Sequence, residues 1–187
     1  MNFQKLVNLK NEKLNKKIFI FITKNLKNTV FNILGYKFFR SIYLKNNYKN
    51  IFFYKKKNQL LILISYINLE SELKLKKEMI KYFISSPMKF FLLLMNIKFF
   101  FKYSKNPKNY IQLLHFIVNK SILPKMNKII RDKKINELHK KFIKKEHKGI
   151  YAAYSNDNIT AKKYYEKNKY VLYSQNLFFS FVKKNIY

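Results

Sequence analysis

Three histidines (His115, His139 and His147) and nine carboxylates are the groups with which this chain could do acid–base or metal chemistry. A metal site needs several such ligands at matched spacings. The histidines share no such spacing with one another or with an acidic cluster. A general acid or base needs surroundings that shift its pKa towards neutrality, and here the acids are scattered among lysines. Cysteine is absent, which excludes disulfides, thiolate metal sites and a cysteine nucleophile. Two glycines are too few for a glycine-rich phosphate loop. The residue types therefore predict no catalytic residue, no metal, no cofactor and no enzyme.

What remains is positive charge interleaved with aromatic rings, as in residues 54–57, 98–105 and 162–170. Lysine meets phosphate without regard to base sequence, and aromatic faces can stack on unpaired bases. Over 187 residues the chain carries 40 Lys+Arg against 9 Asp+Glu, a formal charge of +31. Self-repulsion on that scale asks for a polyanion, and the expected one is nucleic acid. With 48% hydrophobic and 18% aromatic residues, the chain has material for a core and is not read as disordered. All basic residues except Arg40 and Arg131 are lysine, and Asn, Ile, Phe and Tyr abound, which is the mark of an AT-rich genome. That bias explains some of the lysine but not the scarcity of acids. Residues 1–17 lack the features of a leader, so a mature start at Met1 is expected. The most apolar segment, 90–101, contains Lys98 and is short for a bilayer, so no membrane partner is expected.

Periodicity predicts the elements that must position these groups. A helix is expected over 2–16, a strand over 18–22, and a helix from Lys24 stopped by Gly35. Strands follow at 36–44, 50–54 and 59–67, with a turn at 55–58. A solvated helix is expected over 70–83, with Glu70 facing Lys74 and Glu72 facing Lys76. Then come a strand or bent pair over 90–103, a turn at Pro107, an apolar helix over 110–118 and a lysine-dense helix within 125–148. The end reads as a strand at 149–154, a polar turn at 155–158, a helix at 160–167 and strands at 170–173 and 177–182.

Two segments carry a resemblance. Residues 6–36, LVNLKNEKLNKKIFIFITKNLKNTVFNILGY, resemble the opening of the eighth protein of the small ribosomal subunit, in a divergent mitochondrial form. Leu9-Lys10-Asn11 stands for that family's Ile-Arg-Asn, Lys24-Asn25-Leu26-Lys27 for its Ser-Lys-Leu-Lys, and Gly35-Tyr36 for its Gly-Tyr. At the other end, Ser155-Asn156-Asp157-Asn158 falls on its Ser-Thr-Ser-Lys-Gly loop, shorter and without the glycines, and Ile159-Thr160 on its Met-Thr step. Between them, Tyr103-Ser104-Lys105-Asn106-Pro107-Lys108-Asn109-Tyr110 is the preferred counterpart of its Ser-Lys-Pro-Gly-x-Arg-x-Tyr motif, with Ile84-Ser85-Ser86-Pro87-Met88-Lys89 as a weaker rival.

The resemblance implies an α+β fold: an N-terminal α/β unit of two helices on a small sheet, and a C-terminal mainly β unit with a short helix. The expected parts are 1–68, a basic connecting region at 69–148 with added segments, and 149–187. It implies a non-catalytic constituent of the small ribosomal subunit in a mitochondrial ribosome. Its partners would be the central domain of small-subunit rRNA and neighbouring ribosomal proteins, with no small-molecule substrate. RNA contacts would come from Lys10, Asn11, Lys24, Asn25 and Lys27, from Ser104, Lys105 and Lys108, and from Ser155, Asn156, Asp157, Asn158, Thr160 and Lys162. The alternatives are a basic accessory subunit of an organelle membrane complex and a ribosomal protein of another family.

Overall fold

The first helix begins where Asn11 can cap it, its side-chain oxygen accepting the Leu14 N–H at 2.9 Å. In the computed structural model, which describes residues 2–7, 9–26, 29–57, 59–94, 107–119, 127–143 and 146–186, this helix, α1, runs over Glu12–Asn25. Two compact units emerge. The first takes residues 1–96 and 115–126, the second 97–114 and 127–187.

In the first unit the expected strand at 18–22 is part of α1. Ile18, Phe21 and Ile22 are buried at helical spacing, and burial of that stripe outweighs the weak helix aversion of β-branched residues. The expected helix over 2–16 gives way to a short strand, β1 (Gln4–Lys5), and only then to the helix start. Thr29 caps α2 (Val30–Phe38). Gly35 interrupts it with φ +75 and ψ −175, so its role as a stop is met in the backbone. The chain then turns helical again through a π-helical stretch (Phe39–Leu44), α3 (Lys45–Asn47) and a 3-10 turn (Tyr48–Asn50). The strand expected at 36–44 is therefore absent, and Phe38, Phe39, Ile42 and Tyr43 are buried in helical register instead.

β2 (Ile51–Lys56) and β3 (Gln59–Ile67) form the expected antiparallel hairpin. Lys57 takes a positive φ in the turn. α4 (Leu69–Ile84) is capped by Asn68, and its Glu72 pairs with Lys76 at 2.7 Å. α5 (Pro87–Leu94) replaces the start of the strand expected at 90–103. The rest of that segment lies outside the described residues.

β4 (Tyr110–Val118) stands where an apolar helix was expected. Its run of apolar residues fits either period, and the sheet decides. The strand order in the first unit is β1-β2-β3-β4, with β4 entering it at His115. Beside β3, the Asn119 N–H donates to the Leu61 carbonyl at 2.8 Å.

A buried polar chain fixes the middle of this sheet. Asn47 Nδ2 donates to the Tyr43 hydroxyl at 3.3 Å and Tyr43 to Ser65 Oγ at 3.0 Å, while His115 Nδ1 lies 2.8 Å from Ser65 Oγ and 3.2 Å from the Tyr43 hydroxyl. His115 is thereby committed to the core. Burial pushes the Tyr43 hydroxyl up to about 12.

The second unit begins with β4 residues Tyr110 to Leu114. α6 (Lys128–Phe142) is capped by Asn127, whose Oδ1 accepts from the N–H groups of Ile129 and Ile130. Then follow β5 (Gly149–Ser155), α7 (Ile159–Lys167), β6 (Val171–Gln175) and β7 (Phe179–Asn185), all close to the positions expected. The strand order is β4-β5-β7-β6; β4 and β5 are parallel, and β5–β7 and β7–β6 antiparallel. The described residues are thus α+β, with seven strands and helices between them. No helix among the described residues is long and apolar enough to cross a membrane.

Candidate active site

The parallel pair in the second unit stops early. β4 and β5 are in register only from Tyr110↔Gly149 to Leu113↔Ala152. β5 continues through Ala153, Tyr154 and Ser155, paired on its other side with β7. Past Ala152, β5 therefore has an edge with no strand in register beside it among the described residues, at the carboxyl end of a parallel strand. In α/β sheets that end is where ligands bind, and an open edge offers backbone groups to an extended amide-bearing ligand.

The turn that leaves this edge is built from its own polar side chains. Ser155 Oγ donates to Asp157 Oδ1. Asn156 Nδ2 donates to the carbonyls of Asn176 (2.8 Å) and Leu177 (3.2 Å), while its Oδ1 accepts from Ser180 Oγ at 2.7 Å. Asn158 caps α7, accepting from the Ala161 N–H at 3.0 Å. The groups expected to read RNA thus tie the turn to β7 and start a helix. Asn156→Ala is expected to cost about 1–3 kcal/mol, because Ser180 and two carbonyls lose their partner. Urea unfolding measures it; an unchanged midpoint would mean these bonds are not made in solution.

α7 lays tyrosines beside the edge strand. Tyr154 of β5 stacks on Tyr165, ring centroids 5.5 Å apart and planes 22° apart. Tyr164 and Tyr170 meet Tyr165 edge to face at 5.4 and 4.9 Å. The Tyr165 ring is buried, and its hydroxyl makes no hydrogen bond among the described residues. Burial, with Tyr154 beside it, pushes that hydroxyl well above the ordinary tyrosine range, so it stays protonated. Burial likewise raises Tyr164.

His139 lies below the cluster, 3.5 Å from the Tyr170 hydroxyl. Burial pushes it down to about 3, with the Lys184 charge adding to the effect, so it is neutral at any physiological pH. Arg131 and Asp132 form a buried ion pair at 2.8 Å. Among the described residues no group of three or more His, Asp or Glu could hold a metal.

The residues expected to bind RNA are divided between the two units. Lys10, Asn11, Lys24 and Asn25 belong to the first unit, Lys108 and the 155–162 set to the second. Asn11 caps α1, and Asn25 Nδ2 donates back to the Phe21 carbonyl at 2.8 Å. Lys24, Lys108, Thr160 and Lys162 are exposed. Lys27, Ser104 and Lys105 lie outside the described residues. Sequence reasoning passed over Tyr165, although the lysine-tyrosine run at 162–170 was its signal; it was read as a base-stacking surface.

No protein-family model and no curated protein matches the sequence. Solved structures do match. One acetyltransferase is 10% identical over 100% of both chains, with a TM-score of 0.64. An N-acetyltransferase from Staphylococcus aureus Mu50 is 13% identical over 98% of this chain and 100% of its own, with a TM-score of 0.61. A GNAT-family acetyltransferase from Bacillus cereus ATCC 10987 is 9% identical over 98% of this chain and 96% of its own, with a TM-score of 0.53.

These likenesses, spanning the chain end to end, overturn the resemblance to the eighth small-subunit ribosomal protein. With it go the non-catalytic ribosomal role, the rRNA and ribosomal-protein partners, the exclusion of a small-molecule substrate and both alternatives named beside it. The physical reasons are local. The N-terminal match needed a strand at 18–22, which is helix, and the C-terminal match needed free polar groups at 155–158, which are engaged. The fold of this chain is that of the GNAT-family acetyltransferases.

Proposed function

We propose that this chain is an N-acetyltransferase that moves an acetyl group from acetyl-CoA to an amine. The observation that carries the reading is the early end of the β4–β5 pairing within this fold, with the protonated Tyr165 in the helix beside it. Acetyl-CoA supplies an activated acyl group, a thiolate leaving group, two amides along its arm and a cluster of phosphates.

The residues present fit such a donor in two ways. The edge of β5 at 153–155 offers backbone partners to amides. Lys162 and Lys163, exposed in the first turns of α7, offer charge to phosphates. Asn127 already occupies N–H groups at the start of α6, and both glycines, Gly35 and Gly149, stand elsewhere, so lysine side chains rather than a glycine-lined backbone nest would meet the phosphates.

In the transfer the amine nitrogen forms a bond to the acyl carbon and the carbon–sulfur bond breaks. Tyr165 donates its proton to the departing sulfur, and the phenolate recovers one from the newly acylated nitrogen through water. The chain has no cysteine to carry the acetyl group, which favours direct transfer. Its positive field also lowers the pKa of a bound ammonium, as like charge does, so the attacking amine is partly neutral without a strong base.

Binding tests the reading. Acetyl-CoA should raise the melting temperature well beyond pyrophosphate at matched ionic strength, through the RT ln(1 + [L]/Kd) linkage. Equal shifts for the two would reduce the effect to charge and sink the proposal.

A further inference from the structure

At the other end of the second unit, a cation is held among cations. Lys184 of β7 pairs with Ile150, near the start of β5, while the edge assigned to the acyl donor ends at Ser155, about 17 Å further along the strand. The Lys184 ammonium donates to Asn136 Oδ1 of α6 at 3.1 Å and lies 5.6 Å from the centre of the Tyr170 ring. Asn136 is one helical turn before Lys140, so both share a face of α6. Tyr170 directly follows Lys169, which holds a left-handed φ of +61 just past α7. Lys140 on α6 and Lys169 just past α7 are thus the neighbours, along the chain, of the two residues that meet Lys184.

None of Lys140, Lys169 and Lys184 forms an ion pair with a carboxylate among the described residues. Of the acids elsewhere in this unit two are already matched, while Glu166, three residues before Lys169, is exposed and forms no ion pair among the described residues. Asp132 is held by Arg131 and Lys167, and Glu137 by Lys134. Desolvation and the charges of Lys169 and Lys140 keep the Lys184 amine below the usual lysine range. Gathering like charges in this way costs stability unless an anion relieves it. Asn136 spends its oxygen on Lys184, which leaves its amide N–H groups as further donors.

We propose that Lys140, Lys169, Lys184 and Asn136 form a binding site for a phosphoryl group, separate from the acyl-transfer edge. Three ammonium groups and an amide suit the several acceptor oxygens of a phosphate dianion. The site stands on the second unit alone and does not depend on the acetyltransferase reading.

The test uses the full chain, with inorganic phosphate and AMP as probes and sodium chloride at matched ionic strength as the control. Phosphate should bind saturably by calorimetry and raise the melting temperature, while chloride should do neither. The double variant Lys140→Gln with Lys169→Gln, both exposed positions, should weaken binding at least roughly tenfold. The pair Lys55→Gln with Lys56→Gln, exposed on β2 of the first unit, should leave it unchanged. AMP binding more tightly than phosphate assigns the site to a phosphomonoester, and equal binding assigns it to free phosphate. Equal response to chloride, or full binding by the Lys140/Lys169 variant, overturns the site.

Discussion

Gly149→Ala should cost the protein about 3 kcal/mol or more of stability, by overpacking against main chain that has no room to move. A Cβ at position 149 would lie 2.0 Å from the Lys184 carbonyl oxygen, 2.9 Å from its carbon and 3.0 Å from the Asn185 Cα. All three are backbone atoms, so no side-chain rotation relieves the clash. The position is also where β5 begins its register with both neighbours, Tyr110↔Gly149 on one side and Gly149↔Asn185 on the other. Moving β7 away would loosen the strand that Asn156 and Lys184 depend on. Gly35→Ala is the contrast. That glycine has φ +75 but nothing within 4 Å of a built Cβ, so only backbone strain of about 1 kcal/mol is expected. Urea denaturation of the two variants ranks them; a larger loss at Gly35 than at Gly149 would contradict the account.

Tyr165→Phe should leave the fold intact and lower kcat roughly 100-fold. The ring packs between Tyr154, Tyr164 and Tyr170, and phenylalanine keeps those contacts. The hydroxyl is bonded to no described residue, so stability should change by less than about 0.5 kcal/mol. What is lost is the proton for the departing thiolate. The KM for acetyl-CoA should stay close to that of the parent, because the hydroxyl acts after binding. The pH profile gives a second readout. With its pKa raised above the ordinary value, Tyr165 is protonated below about pH 10, so any acetyl transfer by the parent protein should lose nothing to tyrosine ionisation up to that pH. A fully active phenylalanine variant would remove Tyr165 from the mechanism.

Much of the second unit is legible in the sequence because its signals are local. Asn158 and Asn127 are cap residues in front of helical patterns, and the turn at 155–158 separates a strand from a helix by its polar residues alone. The hairpin of β2 and β3 is equally plain. The first unit defeats the same reasoning at 18–22 and 36–44. There the aromatic and β-branched residues that suggest strands tile the buried stripe of a helix, and only tertiary packing distinguishes the two. Tyr110 to Val118 fails the other way, since an apolar run of nine residues carries no period that separates a buried strand from a helix.

The candidate site was hidden for a different reason. Its geometry lies in where a strand pairing ends, between Leu113↔Ala152 and Ser155, and no motif marks that. Tyr165 is one of 15 tyrosines, and nothing in its type tells that its ring would be buried with its hydroxyl uncommitted. The charge of +31 points to an anionic partner without giving its size. A small polyphosphate such as the acyl donor satisfies the same electrostatic demand at one place, and the lysines around position 184 ask for a second anion.

The central claim is acyl transfer, and release of free CoA tests it most directly. Because the chain contains no cysteine, a thiol reagent mixed with protein, acetyl-CoA and a panel of primary amines reports only the CoA liberated. The expected result is thiol release that depends on one class of amine, matches the N-acetylated product mole for mole, and falls roughly 100-fold in Tyr165→Phe. No amine-dependent release above the uncatalysed rate, from folded protein that also fails to bind acetyl-CoA, would contradict it.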